Sequence, residues 1–200
     1  MSFRRLAVAI LAAGSGSRFG EDKLAKSLGE CSVLEHVAKT IAKIDAPLKF
    51  CVIRDDQSVH AAMLARYAIQ PIVNATPELG MSSSILLAVE AAEKSQADGL
   101  LIALGDMPLV PAAHYGDLIR KAGHAPLACS LVGKRRMPPA LFPSQLFGEL
   151  KRLSGDQGAR EILYRYGDEI CAPLAPEHCL DIDTQEDLSA AQKSLASGGK

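Results

Sequence analysis

The sequence predicts an α/β protein, a parallel sheet with helices on both of its faces. Three observations predict it. Short apolar runs alternate with stretches of helical period along the whole chain. The runs are apolar throughout rather than every second residue, as strands buried on two sides require. The residues able to carry chemistry fall directly after those runs, where open parallel sheets bind their ligands.

Residues 6–11 (LAVAIL) form the first strand. Residues 32–44 form the first helix, with Val33, Leu34, Val37, Ile41 and Ile44 on one face, and Ser32 followed by Glu35 gives a capping-box start. Residues 48–53 (LKFCVI) are a second strand, 59–66 a short helix and 69–74 a third strand. An alanine-rich helix over 84–94 leads into 99–104 (GLLIAL), a fully apolar fourth strand. Residues 111–121 read as a helix with proline in its first turn. Residues 126–132 and 140–142 are candidate strands, and 144–153, 157–166 and 184–195 are helices. No repeat or linker interrupts the series, so residues 1–196 are expected to be one domain and 197–200 a flexible tail.

The chain has 200 residues and a net charge of -1, which gives no basic field for wrapping nucleic acid. Its five cysteines are odd in number and none is spaced C-x-x-C, as expected of free thiols in a reducing compartment. Arg4 and Arg5 precede an apolar run too short for a signal peptide, and nothing approaches the ~20 apolar residues of a membrane span. The expectation is a cytoplasmic protein that binds neither nucleic acid nor membrane.

Three loops follow apolar runs. The first, AAGSGSRFGEDK, offers the glycines Gly14 and Gly16, whose backbone N–H groups can approach a phosphate closely, and the cations Arg18 and Lys23. It is neither a dinucleotide fingerprint, because Gly20 comes one position late, nor a P-loop, because no Gly-Lys-Ser/Thr follows. The second, Leu104-Gly105-Asp106-Met107-Pro108, puts an acid at a strand end, where it can bind Mg²⁺ or cap a turn. The third, Asp181-Ile182-Asp183-Thr184, puts two acids on one side of an extended segment, and Asp183 or Thr184 can also N-cap the last helix. Together they describe a triphosphate held by glycine amides, Arg18 and Lys23, with Asp106 and Asp183 on the bridging metal.

LAAGSGSRFGEDK resembles the L-A-A-G-x-x-x-R-x-G-x-x-K signature of the MobA-like nucleotidyltransferases, and among them most resembles the molybdenum cofactor cytidylyltransferases. PELGMSSS at 77–84, LGDMPLV at 104–110, the segment 141–160 and LDIDTQEDL at 180–188 agree in order, so the resemblance spans essentially the whole chain. It implies a three-layer α/β/α, Rossmann-like nucleotidyltransferase fold of the glycosyltransferase-A type with a mostly parallel sheet. It implies CMP transfer from CTP to the terminal phosphate of a molybdopterin-type acceptor, with Mg²⁺ as cofactor and pyrophosphate released. A molybdoenzyme or its chaperone is an expected partner. By position, Arg18, Lys23 and Asp106 would be catalytic, and Asp106 and Asp183 the metal ligands. The nucleotide pocket would be lined by Leu11, Ala12, Ala13, Gly14, Gly16, Arg18, Lys23, Gly80, Ser82, Ser83, Ser84 and Asp106. Guanylyltransferases of the family usually begin L-A-G-G and tend to lack the PELGMSSS stretch. The methyl of Ala13 would narrow the space a purine needs.

In one departure, the basic run Lys134-Arg135-Arg136 stands in a region that faces the acceptor in the family. It could meet an anionic acceptor or be a solvated charge run. The acceptor phosphate is already ionised at neutral pH, so no general base is needed, and the five histidines are read as structural or surface residues. Catalysis would then be alignment and charge neutralisation. The alternatives are a guanylyltransferase or a sugar- or polyol-phosphate nucleotidyltransferase of the same fold, a dinucleotide oxidoreductase, and a non-catalytic NTP-sensing protein that inserts the finished cofactor.

Overall fold

The computed structural model describes residues 3–14, 22–54 and 58–197. Its strands are β1 (Leu6–Leu11), β2 (Ser27–Leu28), β3 (Cys31–Ser32), β4 (Leu48–Arg54), β5 (Gln70–Asn74), β6 (Gly99–Leu104), β7 (Ala128–Val132), β8 (Arg135–Pro143) and β9 (Cys171–Pro173). Its α-helices are α1 (Val33–Ala42), α2 (Ser58–Ala65), α3 (Met81–Lys94), α4 (Ala112–Ala122), α5 (Phe147–Leu150), α6 (Arg160–Tyr164) and α7 (Gln185–Ser197). Seven strands form one sheet in the order β5-β4-β1-β6-β8-β7-β9, and β2 pairs with β3 in a small hairpin. All strands of the large sheet run one way except β8, which is antiparallel to both β6 and β7.

Alternate residues of β1 feed two separate cores. Val8, Ile10 and Ala12 pack on the side of Val33, Leu34, Val37 and Ile41 of α1, Tyr115 and Leu118 of α4, and Leu188 and Ala191 of α7. Ala7, Ala9, Leu11 and Ala13 pack on the other side with Ile85, Ala88, Val89 and Ala92 of α3 and with residues of α5 and α6. Alanines face alanines there, so α3 can lie close to the sheet. Burying each large aliphatic side chain of these cores contributes roughly 1.5–3 kcal/mol.

Most expected elements are present. Ser32 caps α1 by accepting from the Glu35 N–H at 3.2 Å, while the Glu35 carboxylate turns away to accept from Tyr67 Oη at 2.7 Å. Other elements differ. The helix read over 84–94 starts at Met81, so Ser82, Ser83 and Ser84 are first-turn residues of α3. Strand β8 is nine residues long although it contains Pro138 and Pro139. These two have no partners on β7, because the register passes from Cys129↔Ala140 to Ser130↔Met137. Prolines are tolerated at such a bulge because no ladder N–H is needed there. The helix expected over 184–195 runs from Gln185 to Ser197, so residue 197 of the expected tail is helical, and residues 198–200 lie outside the described ones. No helix among the described residues is long and apolar enough to cross a membrane.

From β1 the chain moves outward to β4 and β5, and α3 then carries it back to β6 on the other side of β1. The reversal opens a crevice beyond the carboxyl ends of β1 and β6.

Candidate active site

Two main-chain bonds fix the floor of this crevice. The Ala12 N–H donates to Val52 O at 2.8 Å and the Gly105 N–H to Leu11 O at 2.9 Å, so the segment after β1 is tied to β4 on one side and to the end of β6 on the other. A third tie brings in the distant acidic segment, because the Ile182 N–H donates to Asp106 O at 2.9 Å. Ile182 is fully buried, so its neighbours Asp181 and Asp183 face together away from the core. Thr184 supplies the cap of α7. Its hydroxyl accepts from the Asp187 N–H at 3.1 Å, and the Asp187 carboxylate accepts from the Thr184 N–H at 2.8 Å. The Asp183 carboxylate is therefore turned to the crevice.

Lys23 opens a single 3-10 turn, Lys23–Ala25, and is only 8% exposed. Its Nζ donates to Asp106 Oδ2 at 2.8 Å and to Asp183 Oδ1 at 2.7 Å. Burial disfavours the ammonium, but the charges and hydrogen bonds of Asp106 and Asp183 together outweigh it and hold Lys23 above its usual value. One cation is thus clamped between two carboxylates at the switch point of the sheet.

Around this triad lies a cavity of about 530 Å³. One wall is Leu11, Ala12, Ala13 and Gly14, and the opposite wall is Pro77, Glu78, Gly80, Met81 and Ser84. Lys23, Asp106 and Asp183 stand at one end and Asp156 at another part of the rim. Of the three serines read into the pocket, Ser84 lines it. Ser82 Oγ donates to Leu79 O and Ser83 Oγ to Gly80 O, the local bonds of a helix start, and neither lines the cavity. Gly16 and Arg18 lie outside the described residues.

Asn74 was not singled out by sequence. It is buried at the end of β5, and its Nδ2 donates to Ser83 Oγ at 2.8 Å and Ser84 Oγ at 3.0 Å, while its Oδ1 accepts from the Thr76 N–H at 3.0 Å. One side chain thereby holds both the loop entering the cavity wall and the first turn of α3. A polar residue closing an apolar strand was the only available signal.

A second cavity of about 220 Å³ adjoins the first and shares Leu11, Met81, Leu104 and Asp156 with it. Its lining combines apolar Ile85, Ile102, Ala140, Phe142 and Leu163 with the charged Arg135, Arg136, Arg160 and Asp156. The basic run is divided between roles. Arg136 donates to Leu163 O at 2.8 Å, Tyr166 O at 2.5 Å and Asp168 Oδ1 at 2.7 Å, and lies over the Tyr164 ring. It therefore ties β8 to α6, and it also lines the second cavity. Lys134 is exposed, and Arg135 is 4.0 Å from Asp181 Oδ2.

Asp181 carries the largest stored electrostatic cost beside the site. Its Oδ1 is buried with no hydrogen-bond partner among the described residues. Burial, followed by the nearby charges of Asp106 and Asp183 and opposed by Arg135, pushes its carboxyl up from 3.8 to about 6. The folded state then binds more protons than the unfolded chain between these values, so stability falls as pH rises through that window. The full shift corresponds to about 3 kcal/mol. The side chain is 39% exposed, which reduces the effect to about 1 kcal/mol by solvent screening. Asp181→Asn is accordingly expected to raise the Tm by about 2–4 °C at pH 8 in chelator-treated buffer. The gain should shrink to nothing near pH 4, and an equal gain at both pH values would contradict the assignment.

Comparison with known proteins identifies the family. Residues 8–170 match the MobA-like NTP transferase domain. The purine catabolism protein PucB of Bacillus subtilis is 31% identical over 196 residues, which is 93% of this chain and 95% of PucB. The bifunctional protein GlmU of Mycobacterium avium is 34% identical over 125 residues, covering 59% of this chain but 25% of GlmU. Among solved structures, Rv0371c of Mycobacterium tuberculosis matches with a TM-score of 0.78 at 22% identity, covering 96% of this chain and 100% of that one. Rv0371c has also been solved in complex with manganese. The sheet order, the crevice at the ends of β1 and β6 and the match along most of the chain lead to one assignment: this protein belongs to the MobA-like NTP transferases, a nucleotidyltransferase family.

Proposed function

We propose that the protein is a cytidylyltransferase that moves CMP from CTP to the terminal phosphate of a molybdenum cofactor. The observation that carries the reading is the Lys23 ammonium held between Asp106 and Asp183 beside the segment that enters the glycine loop. A triphosphate placed there would meet backbone N–H groups and cations at one end of the cavity, and its base would lie between the two walls. Ala13 is buried and lines the cavity, so its methyl takes space a purine would need and favours cytosine.

The acceptor reading is supported by the second cavity. A planar ring system can bury against Ile85, Ile102 and Phe142. A sugar- or polyol-phosphate acceptor is the second reading, because Arg135, Arg136, Arg160 and Asp156 offer polar partners in the same cavity.

Two carboxylates converging on one cation are a hard-oxygen donor set of the kind that suits Mg²⁺, which completes its shell with water and phosphate oxygens. Asp106 and Asp183 would hold it, and bound there it would neutralise charge on the phosphate oxygens. The chain's own contribution is alignment. An oxygen of the acceptor phosphate forms a bond to the α-phosphorus of CTP while the α–β anhydride bond breaks and pyrophosphate leaves. Lys23 stabilises the charge that grows on the pyrophosphate, and the cavity walls hold the nucleotide in line. No side chain needs to take a proton.

The test is a thermal-shift series with CTP, GTP, ATP and UTP, each with and without Mg²⁺, followed by pyrophosphate release with molybdenum cofactor. A ligand at 100 times its Kd adds about 2.7 kcal/mol of stability. A Mg²⁺-dependent shift selective for CTP, with turnover on the cofactor, is the expected result. Selectivity for GTP would overturn the role given to Ala13. Turnover on a sugar phosphate alone would overturn the acceptor.

A further inference from the structure

We propose that His60 is a positioning residue for Lys23 and acts through Asp22. The inference rests on the reading that Lys23 meets the triphosphate. Lys23 lies on a turn of only three residues, too short to hold a side chain in place by its own hydrogen bonds. What holds the turn is Asp22. Its Oδ1 accepts from the Leu24 N–H at 3.1 Å, which caps the turn, and its main-chain oxygen accepts from the Ala25 N–H at 3.2 Å. The remaining carboxylate oxygen, Oδ2, is 2.8 Å from His60 Nε2. An ionised carboxylate only accepts, so Nε2 carries the hydrogen and donates.

His60 is 3% exposed, in the first turns of α2. That helix is anchored to the core by Leu64, which is fully buried, and its end is closed by the N–H of Ile69, the residue before β5, donating to Leu64 O at 3.2 Å. The imidazole therefore joins a rigid element to the residue immediately before Lys23. A buried histidine with only a packing role could meet its hydrogen-bonding need with any nearby carbonyl. This one meets it with the cap of the turn that aims the ammonium at Asp106 and Asp183. The path runs from α2 through His60 and Asp22 to the Lys23 turn, and ends between two carboxylates, one from the middle of the chain and one from near its end.

The test is calorimetric binding of CTP and of inorganic tripolyphosphate, both with Mg²⁺, to His60→Leu, His60→Gln, Lys23→Ala and the double variant His60→Leu/Lys23→Ala. Leucine fills the site without a donor, and glutamine keeps an N–H donor. Lys23→Ala is expected to weaken both ligands at least about tenfold, and His60→Leu about tenfold, which is about 1.4 kcal/mol. His60→Gln should recover most of the loss. The double variant should bind no more weakly than Lys23→Ala alone, because residues acting through one group are not additive. Asp22→Ser, which keeps a capping oxygen but is too short to reach His60, should reproduce His60→Leu, and it serves should the leucine variant fail to fold. Full binding by His60→Leu, or additive losses in the double variant, overturns the proposal while leaving the role of Lys23 intact. Full binding by Lys23→Ala overturns the reading of Lys23, and the tether with it.

Discussion

Replacing Asp106 by alanine is expected to lower metal-dependent nucleotidyl transfer at least about 10²-fold, the scale of one well-placed electrostatic group. Asp106 lies in the turn just beyond the central strand β6, and its carboxylate is one of two that converge on Lys23. Without it the cation site has a single carboxylate, and the buried ammonium keeps half of its compensation. Asp106→Asn should lose nearly as much, because an amide accepts weakly and carries no charge. The fold should persist in both variants. The tie to the acidic segment is made by the main-chain oxygen of Asp106, which the substitution leaves in place. Steady-state pyrophosphate release with varied Mg²⁺, beside a thermal melt, checks this. Turnover within a few-fold of the parent would remove Asp106 from the centre of the site.

The parts legible in the sequence were those written into local pattern. Strands β1 and β6 are short unbroken apolar runs between turn residues, and Ser32 with Glu35 marks the start of α1. The acids Asp106 and Asp183 could be named because each follows an apolar segment. Their pairing on one metal was read as well, but the clamp of Lys23 between them was not, since it depends on the bond from Ile182 to Asp106 and on the turn that carries Lys23. Strand β8 was under-read because arginines and prolines break its pattern, and only the bulge against β7 makes them compatible with pairing. Strand β9 and the β2–β3 hairpin are two or three residues long and exist only through their partners. Serines are weak helix formers, so Ser82 and Ser83 fell outside the helix read over 84–94. Asn74, reaching over from β5, supplies the hydrogen bonds that fix their turn as helix.

Gly80→Ala is expected to be the most damaging single-methyl change in the cavity wall, costing about 2–4 kcal/mol of stability. Gly80 has φ 85° and ψ -173°, a region open essentially to glycine alone. A Cβ there would also lie 2.5 Å from Asp156 Oδ1 and 2.7 and 2.8 Å from the main-chain carbon and oxygen of Gly155. The carboxylate could swing away, but the backbone of Gly155 could not move without carrying its loop off α3. The same substitution strikes the helix start, where Gly80 O accepts from the Ser83 N–H at 3.2 Å and from Ser83 Oγ at 2.8 Å. Met81 would lose its bond to Asp156 Oδ1, now 3.2 Å, so the wall shared by the two cavities would shift. CTP affinity should fall about tenfold or more, at about 1.4 kcal/mol for each factor of ten. Gly133→Ala is the control. Gly133 also has a positive φ, 58°, in the turn between β7 and β8, but a Cβ there meets nothing within 4 Å. Alanine at 133 should cost only the strain of the left-handed region, about 1–2 kcal/mol, with CTP binding unchanged. If chemical denaturation and CTP titration place the two alanine variants level, the close approach of the Gly155 loop to α3 does not matter to the site. If only Gly80→Ala loses affinity, that approach is what sets the width of the nucleotide cavity.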